Sequence, residues 1–276
     1  MIRIVTDSSA DLCPELVAEL GITVIPIRIC LGTKIYHDGV DIRRSDFYHQ
    51  LARGDILSTS RPPLREEFRR AYERLLKSGD QILSIHLSSK MNKTSEVARG
   101  ATKAFLGRNR ITVVDSCLIS WGLGILVGTA AEAARRGASV EEILRLIRGM
   151  IPHIYMVFFV EDVGYLERRR YAGRSRRFTD GLVGVRPLLI VEDGRIMPMA
   201  RVRSRGKAAD RLFEFVAEFA RFERVVVLQG RPSDETQSLF ERLMDVFPEK
   251  RLDIKPYGPA LATYLGPDAV GVGVYE

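Results

Sequence analysis

The sequence predicts an α/β protein of two domains, the first with a parallel sheet and the second with a mixed sheet. Between residues 2 and 150, short apolar runs typical of strands alternate with helical patterns, which is the order of strands and crossover helices in a parallel sheet. Two further strand patterns flank Asp193-Gly194, a dipeptide that favours the tight turn of an antiparallel hairpin. The length of 276 residues and the hydrophobic content of 46% allow one large or two ordinary domains.

In the predicted first domain, residues 1–151, apolar runs indicate strands and three-to-four spacing indicates helices. The predicted strands cover residues 2–5, 23–29, 82–87 and 111–114, and the predicted helices cover 14–20, 45–54, 64–77, 116–131, 139–150 and a segment that opens at Thr94 with a hydroxyl cap. Pro26 has no N–H to give to a ladder, so its strand should lie at an edge or carry a bulge. Ser139 and Glu142 form the sequence pattern of a capping box.

In the predicted second domain, residues 152–276, the same reasoning indicates a mixture of strands and helices. The strands cover residues 153–160, 188–191, 196–202, 225–228, 252–257 and 270–275, and the helices cover 207–222 and 233–247. Gly258-Pro259 and Gly266-Pro267 bracket a segment that we expect to be rich in turns.

Polar residues follow three predicted strands of the first domain. They are Thr6-Asp7-Ser8-Ser9, Ser88-Ser89 and Asp115-Ser116. If the three strands are neighbours in a parallel sheet, these ends meet at one edge, where open α/β sheets bind ligands. Hydroxyls and helix N-termini at such an edge suit a carboxylate or a phosphate, although each hydroxyl could also be a helix cap alone.

The cysteines and histidines argue against a disulfide framework and against a structural metal. The three cysteines are widely spaced and form no C-x-x-C pair, and the four histidines lack metal-binding spacing.

Met1 leads directly into the first predicted strand, so no signal peptide is expected. The longest uncharged stretch, Ser116–Ala131, is too short to span a bilayer comfortably. We therefore expect a cytoplasmic protein without a stable membrane anchor.

The positive charge is concentrated in one part of the sequence. The net charge is +7, and residues 161–211 hold 13 Lys or Arg against 7 Asp or Glu. The arginine-rich segment 168–177 raises the alternative of a nucleic-acid binder, but it matches no helix-turn-helix, zinc-finger or RNA-recognition pattern. A docking surface for an acidic partner protein is the favoured interpretation, and no nucleic-acid partner is expected.

A serine hydrolase is another alternative, because Ser88-Ser89 lies at a predicted strand-to-helix turn. No G-x-S-x-G elbow surrounds these serines. His86 lies two residues upstream on the same strand face, which does not by itself bring it within reach of Ser88. A nucleophile, a base and an orienting group cannot all be named, so we expect no catalysis by this chain.

The order of several short motifs resembles the DegV family of bacterial lipid-binding proteins. The motifs are Val5–Leu12, Thr59–Pro62, Ile85–Met91 with Thr94, Val114–Ser116, Tyr165-Leu166 leading to Gly173-Arg174, Val202-Arg203 and the segment from Gly258-Pro259 to Gly266-Pro267. The resemblance implies one long-chain fatty acid bound between two α/β domains, with no cofactor. It also implies that the carboxylate is presented to a fatty acid kinase in bacteria that possess one.

By position, the resemblance places the carboxylate-contacting threonine at Thr59, with Ser60 beside it. The family serine falls on Asn92, the family glycine on Lys93 and the family histidine on Tyr264. Amide and hydroxyl donors can still bind a carboxylate there. Lys93 would add charge if it pointed inward, or it simply faces solvent.

The remaining expected positions complete the site. Ser88 and Ser89 are the further ligand-binding candidates, and Arg203 and Arg174 match arginines expected to face the kinase. The acyl tail would need a deep apolar channel, which provides about 0.8 kcal/mol for each buried CH₂ group. A phosphate or sugar-phosphate ligand stays as the alternative, because the donors alone do not distinguish it and such a ligand needs no long channel.

Overall fold

A computed structural model of the chain describes residues 1–52, 56, 58–76, 80–105, 110–168 and 186–276. The strands are β1 (Ile2–Asp7), β2 (Thr23–Ile25), β3 (Arg28–Leu31), β4 (Lys34–His37), β5 (Ser58–Arg61), β6 (Gln81–His86), β7 (Ile111–Asp115), β8 (Ile154–Phe159), β9 (Arg186–Glu192), β10 (Arg195–Val202), β11 (Arg224–Gln229), β12 (Arg251–Pro256) and β13 (Val270–Tyr275). The helices are α1 (Pro14–Glu19), α2 (Arg44–Ala52), α3 (Arg65–Leu76), α4 (Thr94–Thr102), α5 (Ser120–Arg135), α6 (Val140–Met150), α7 (Gly164–Arg168), α8 (Arg205–Ala217), α9 (Asp234–Val246) and α10 (Pro259–Leu265).

The first sheet is parallel and has the strand order β2-β1-β6-β7. Ile4 lies beside Leu83 in its ladder, and His86 lies beside Asp115. The condition that β1, β6 and β7 are neighbours in a parallel sheet is therefore met, and their carboxyl ends meet at one edge. The predicted capping box at Ser139 is also confirmed, because both of its reciprocal bonds with Glu142 are present at the start of α6.

The predicted strand over residues 23–29 is two strands in different sheets. β2 is the edge strand of the first sheet, whereas β3 is the centre of a separate antiparallel sheet with the order β4-β3-β5. Pro26 lies between them, where its missing N–H would interrupt a continuous ladder. This break carries the chain away from the first sheet and allows β5 to pair with β3.

The second sheet is mixed and has the strand order β10-β9-β8-β13-β11-β12. β11 and β12 are parallel, and the other neighbouring pairs are antiparallel. Asp193 and Gly194 form the β9–β10 turn with φ of 48° and 73°. The predicted hairpin is thus confirmed, with Gly194 in a left-handed conformation that favours glycine.

Residues 258–267 differ from the expectation of a turn-rich segment, because most of them form α10. Pro259 occupies the first turn, where a missing N–H costs little, and Gly266 ends the helix with φ of 79°. All seven residues of α10 are buried. The glycine-proline pairs therefore mark the two ends of a short internal helix.

One apolar core links the two large sheets. It runs from Leu83 in β6 through Leu126 in α5 to Met156 in β8 and Leu261 in α10. The helix predicted from the uncharged stretch is present as α5 and is largely buried. Among the described helices, none combines the length and apolar character needed to cross a membrane. The division at residues 151 and 152 stays a prediction.

Candidate ligand-binding site

The turn between β6 and α4 is held by its own backbone and by Asn92. The Ser88 carbonyl accepts hydrogen bonds from the Met91 and Asn92 N–H groups at 3.0 Å each. The expected hydroxyl cap at Thr94 is wrong, because Lys93 is the N-cap residue and makes no side-chain cap bond. Thr94 instead donates its hydroxyl hydrogen to Asn92 Oδ1 at 2.9 Å, which fixes the orientation of the amide.

Three segments that are far apart in the chain meet at Asn92. Its Nδ2 donates to Ser60 Oγ on β5 at 3.3 Å. Tyr264 on α10 donates its hydroxyl hydrogen to the Met91 carbonyl at 2.6 Å. Asn92 is 6% exposed and Tyr264 is 1% exposed. The structure thus brings the predicted residues Ser60, Asn92 and Tyr264 together, and with Thr94 we call them the polar cluster.

Thr59 is beside the polar cluster but on the other face of β5. Side chains alternate across a strand, so Ser58 and Ser60 share one face and Thr59 has the opposite one. Thr59 is half-buried and lies opposite the buried Cys30 in the ladder. Its contact with a ligand carboxylate stays a prediction.

Ser88 and Ser89 fix the turn to its neighbours. The buried Ser88 hydroxyl donates to the Gly194 carbonyl of the β9–β10 turn at 2.7 Å. The Ser89 N–H donates to the Asp115 carboxylate at the end of β7, at 3.2 Å to each oxygen. The Ser88 bond thus joins the turn to the second sheet, and the Ser89 bond joins it to the neighbouring strand end of the first sheet. A direct ligand contact of either serine stays a prediction.

Lys93 faces solvent in the described structure. Its side chain is 75% exposed, and its Nζ lies 4.0 Å from Glu96 one turn further along α4. The side chains of the polar cluster are therefore neutral amide and hydroxyl groups, and the Lys93 charge lies outside it.

A fully buried polar chain lies beneath the turn, and sequence reasoning did not find it. Asp7 Oδ2 is bonded to His86 Nδ1 at 2.9 Å and accepts from the Leu87 N–H at 3.2 Å. His86 Nε2 is bonded to Ser84 Oγ at 2.7 Å, and Ser84 Oγ is bonded to the Tyr72 hydroxyl at 2.8 Å. Asp7, Ser84, His86 and Tyr72 show no exposed surface. His86 is therefore engaged with Ser84 and Asp7, and Ser84 is closed to a substrate.

Asp11 fixes the beginning of α10. Its Oδ2 accepts from the Ser120 hydroxyl at 2.5 Å and from the Gly258 N–H at 2.8 Å. Its Oδ1 lies 3.6 Å from the Arg44 guanidinium. Burial raises the pKa of Asp11, and the nearby Arg44 charge opposes this rise. Because α10 also carries Tyr264, Asp11 and the polar cluster hold the two ends of the same helix.

Asp38, a second carboxylate close to Asp11, has a strongly raised pKa. Burial raises the pKa of Asp38 to about 7, although the hydrogen bond from the Ser8 hydroxyl at 2.8 Å acts in the opposite direction. The charge of Asp11 contributes to the rise, and that of Arg44 opposes it. The two acids and Arg44 thus form a coupled cluster at the side of α10 away from Tyr264.

Of the two arginines expected to face a partner, only Arg203 lies within the described residues. Arg203, just after β10, is exposed. Arg174 lies outside the described residues, as does most of the arginine-rich segment 168–177.

Within the part of the chain that the structure describes, no group of three or more His, Cys, Asp or Glu residues is arranged to hold a metal ion.

Comparison of the sequence with known proteins gives matches along the whole chain. A family model described as an uncharacterised protein of the DegV family matches residues 1–276. A DegV domain-containing protein of Caldanaerobacter subterraneus is 34% identical over 281 residues, covering 98% of this chain and 97% of the relative. A DegV domain-containing protein of Deinococcus radiodurans is 31% identical over 276 residues, covering 99% and 98%.

Solved structures share the fold of this chain. A DegV family protein from Thermus thermophilus, described by its fatty acid binding, superposes with a TM-score of 0.90 at 28% identity and covers 100% of this chain and 99% of its own. DegV from Bacillus subtilis, described as a fatty acid binding protein, has a TM-score of 0.89 at 27% identity, with coverage of 100% and 99%. The chain therefore belongs to the DegV family.

Proposed function

We propose that this chain binds one long-chain fatty acid, with the carboxylate at the polar cluster and the acyl tail in an apolar channel, and that it acts as a carrier without catalysing a reaction. The observation that carries the proposal is the meeting of Ser60 and Asn92 at 3.3 Å, with Tyr264 bonded to the adjacent residue. Two related solved proteins described as fatty acid binding share this fold over nearly their full length.

The chemistry of the polar cluster suits a carboxylate. The Asn92 amide carries two N–H hydrogens, so a second one is available beyond its bond to Ser60. Hydrogen bonds to an ionised carboxylate are stronger than those between neutral groups. Because Lys93 faces solvent, selectivity for the acid would come from these directed neutral donors and from Thr59 on the opposite face of β5.

We test the head-group site with the double variant Thr59→Ala and Asn92→Ala. If both side chains meet the carboxylate, affinity for a C16 fatty acid should fall by about 1 to 3 kcal/mol, which is roughly 5- to 150-fold. Calorimetric titration of delipidated protein gives the dissociation constants. A matched control is the double variant Thr102→Ala and Gln237→Ala, whose side chains bond within their own helices and whose affinity should be unchanged. An unchanged affinity of the Thr59 and Asn92 variant would remove both residues from the site.

We further propose that the bound carboxylate is presented to a fatty acid kinase through a surface that includes Arg203 and Arg174. The exposure of Arg203 and the positive charge of residues 161–211 support this surface. With a bacterial fatty acid kinase and ATP, the loaded protein should yield acyl-phosphate. Arg203→Glu should lower that yield while fatty acid affinity stays unchanged. Equal yields from both proteins would exclude Arg203 from the contact.

A further inference from the structure

Ser58 carries a buried hydroxyl without a partner. It is the first residue of β5 and is 4% exposed, and its Oγ makes no hydrogen bond in the described structure. A buried hydroxyl without a partner loses its hydration and gains nothing in return, so such groups are uncommon in folded proteins. The Ser58 hydroxyl therefore lacks the hydrogen-bond partner that would offset its burial.

Ser58 shares its strand face with Ser60 and with two apolar residues of β3. Leu31 lies opposite Ser58 in the β3–β5 ladder, and Ile29 lies opposite Ser60. Both apolar side chains are buried in the main core. Residues directly opposite each other and residues two apart share a face, so Ser58 and Ser60 lie beside Leu31 and Ile29. On the far side of Leu31, the same face ends at the exposed Lys34 of β4.

The spacing of these two positions matches a carboxylate. Residues two apart on a strand are separated by about 6.7 Å. A carboxylate whose oxygens are about 2.2 Å apart, with a hydrogen bond of about 2.7 Å at each end, spans roughly 7.6 Å between its two donors. One carboxylate can thus connect Ser58 with the donors gathered at Ser60 and Asn92.

We infer that Ser58 is a further head-group contact, which donates to one carboxylate oxygen while the polar cluster binds the other. This inference rests on the proposed fatty acid binding and adds a residue that selects acids over uncharged acyl compounds. The Ser58 hydroxyl has no competing internal hydrogen bond in the described structure. Bound acid supplies the missing acceptor.

The test compares wild-type protein with Ser58→Ala and Ser58→Thr, all delipidated, using a C16 fatty acid and its methyl ester as probes. Ser58→Ala should bind the acid about 10-fold or more weakly, because a hydrogen bond to a charged group is lost. It should bind the ester with less than about a 2-fold change, because the ester has no ionised oxygen to receive that bond. Ser58→Thr, which keeps a hydroxyl, should recover most of the acid affinity.

The thermal unfolding of the ligand-free variants separates a head-group contact from a structural role. Loss of an unpartnered hydroxyl should leave the melting temperature of Ser58→Ala equal to or above that of the wild type. Unchanged acid affinity, or equal losses for acid and ester, would overturn the assignment of Ser58. Failure of the wild-type protein to bind either probe would instead overturn the proposed function itself.

Discussion

Replacement of Asp11 by alanine should destabilise the fold, because this carboxylate joins parts of the chain that are far apart in sequence. Its Oδ2 accepts from Gly258, which is 247 positions away, and from Ser120, which is 109 positions away. Each hydrogen bond to a charged group is worth about 1.5 to 3 kcal/mol. The raised pKa of Asp11 shows that burial already opposes its charged form, which offsets part of this gain.

The expected net loss for Asp11→Ala is therefore about 2 to 4 kcal/mol in the free energy of unfolding. Asp11→Asn should lose less, since an amide oxygen can still accept from Gly258 or Ser120. Urea unfolding followed by fluorescence suits this measurement, because the single tryptophan, Trp121, follows Ser120 directly.

The exposed Asp245 provides a matched control. Asp245→Ala should change the free energy of unfolding by no more than about 0.5 kcal/mol. If Asp11→Ala unfolds at the same urea concentration and with the same slope as the wild type, Asp11 does not fix α10. The interpretation of the Asp11 contacts would then be refuted.

Two further predictions concern pH and a helix end. Burial raises the pKa of Asp38 from 3.8 to about 7, so the folded chain keeps this proton over a pH range in which the unfolded chain has released it. Its contribution to stability is present below about pH 4 and decreases by about 1.4 kcal/mol per pH unit up to about pH 7. Asp38→Asn should remove this pH-dependent component from the free energy of unfolding, measured from pH 5 to pH 8. Equal pH profiles of the wild type and the variant would contradict this prediction. Ser139→Ala breaks the capping box of α6 and should lower the free energy of unfolding by about 1 kcal/mol in thermal denaturation, whereas unchanged melting would show that the cap contributes nothing.

Local patterns were sufficient for much of the fold. The apolar runs of β1, β6 and β7 predicted strands of a parallel sheet, and the ladders confirm this and show that the three strands are neighbours. Asp193-Gly194 predicted its hairpin because the conformations needed in the turn are restricted to few residue types. Ser139 and Glu142 predicted a helix start, since the bonds of a capping box lie within four residues.

Features that depend on distant contacts were not visible in the sequence. Gly258-Pro259 and Gly266-Pro267 indicated turns, but burial of every residue between them stabilises α10. The partners of Asp11 and of His86 come from other segments, so neither the fixing of α10 nor the buried polar chain had a local signal. Thr94 bonds to Asn92 instead of capping its helix, because the turn brings the amide to its hydroxyl.

The candidate site was predictable only in part. The motif positions led to Ser60, Asn92 and Tyr264, which the structure brings together. The proposed contact at Ser58 became visible only when its burial and its lack of a partner were known. The amino acid type alone gave no reason to distinguish Ser58 from its neighbours on β5.

The most direct test of the account is mass spectrometry of lipid extracted from the purified, denatured protein, together with addition of fatty acid to the delipidated chain. The account predicts recovery of a long-chain fatty acid at about one molecule per chain, and rebinding of that acid after its removal, because a buried acyl tail gains about 0.8 kcal/mol for each CH₂ group. An extract without fatty acid, from a protein that also fails to bind added C16 acid, would contradict the central claim.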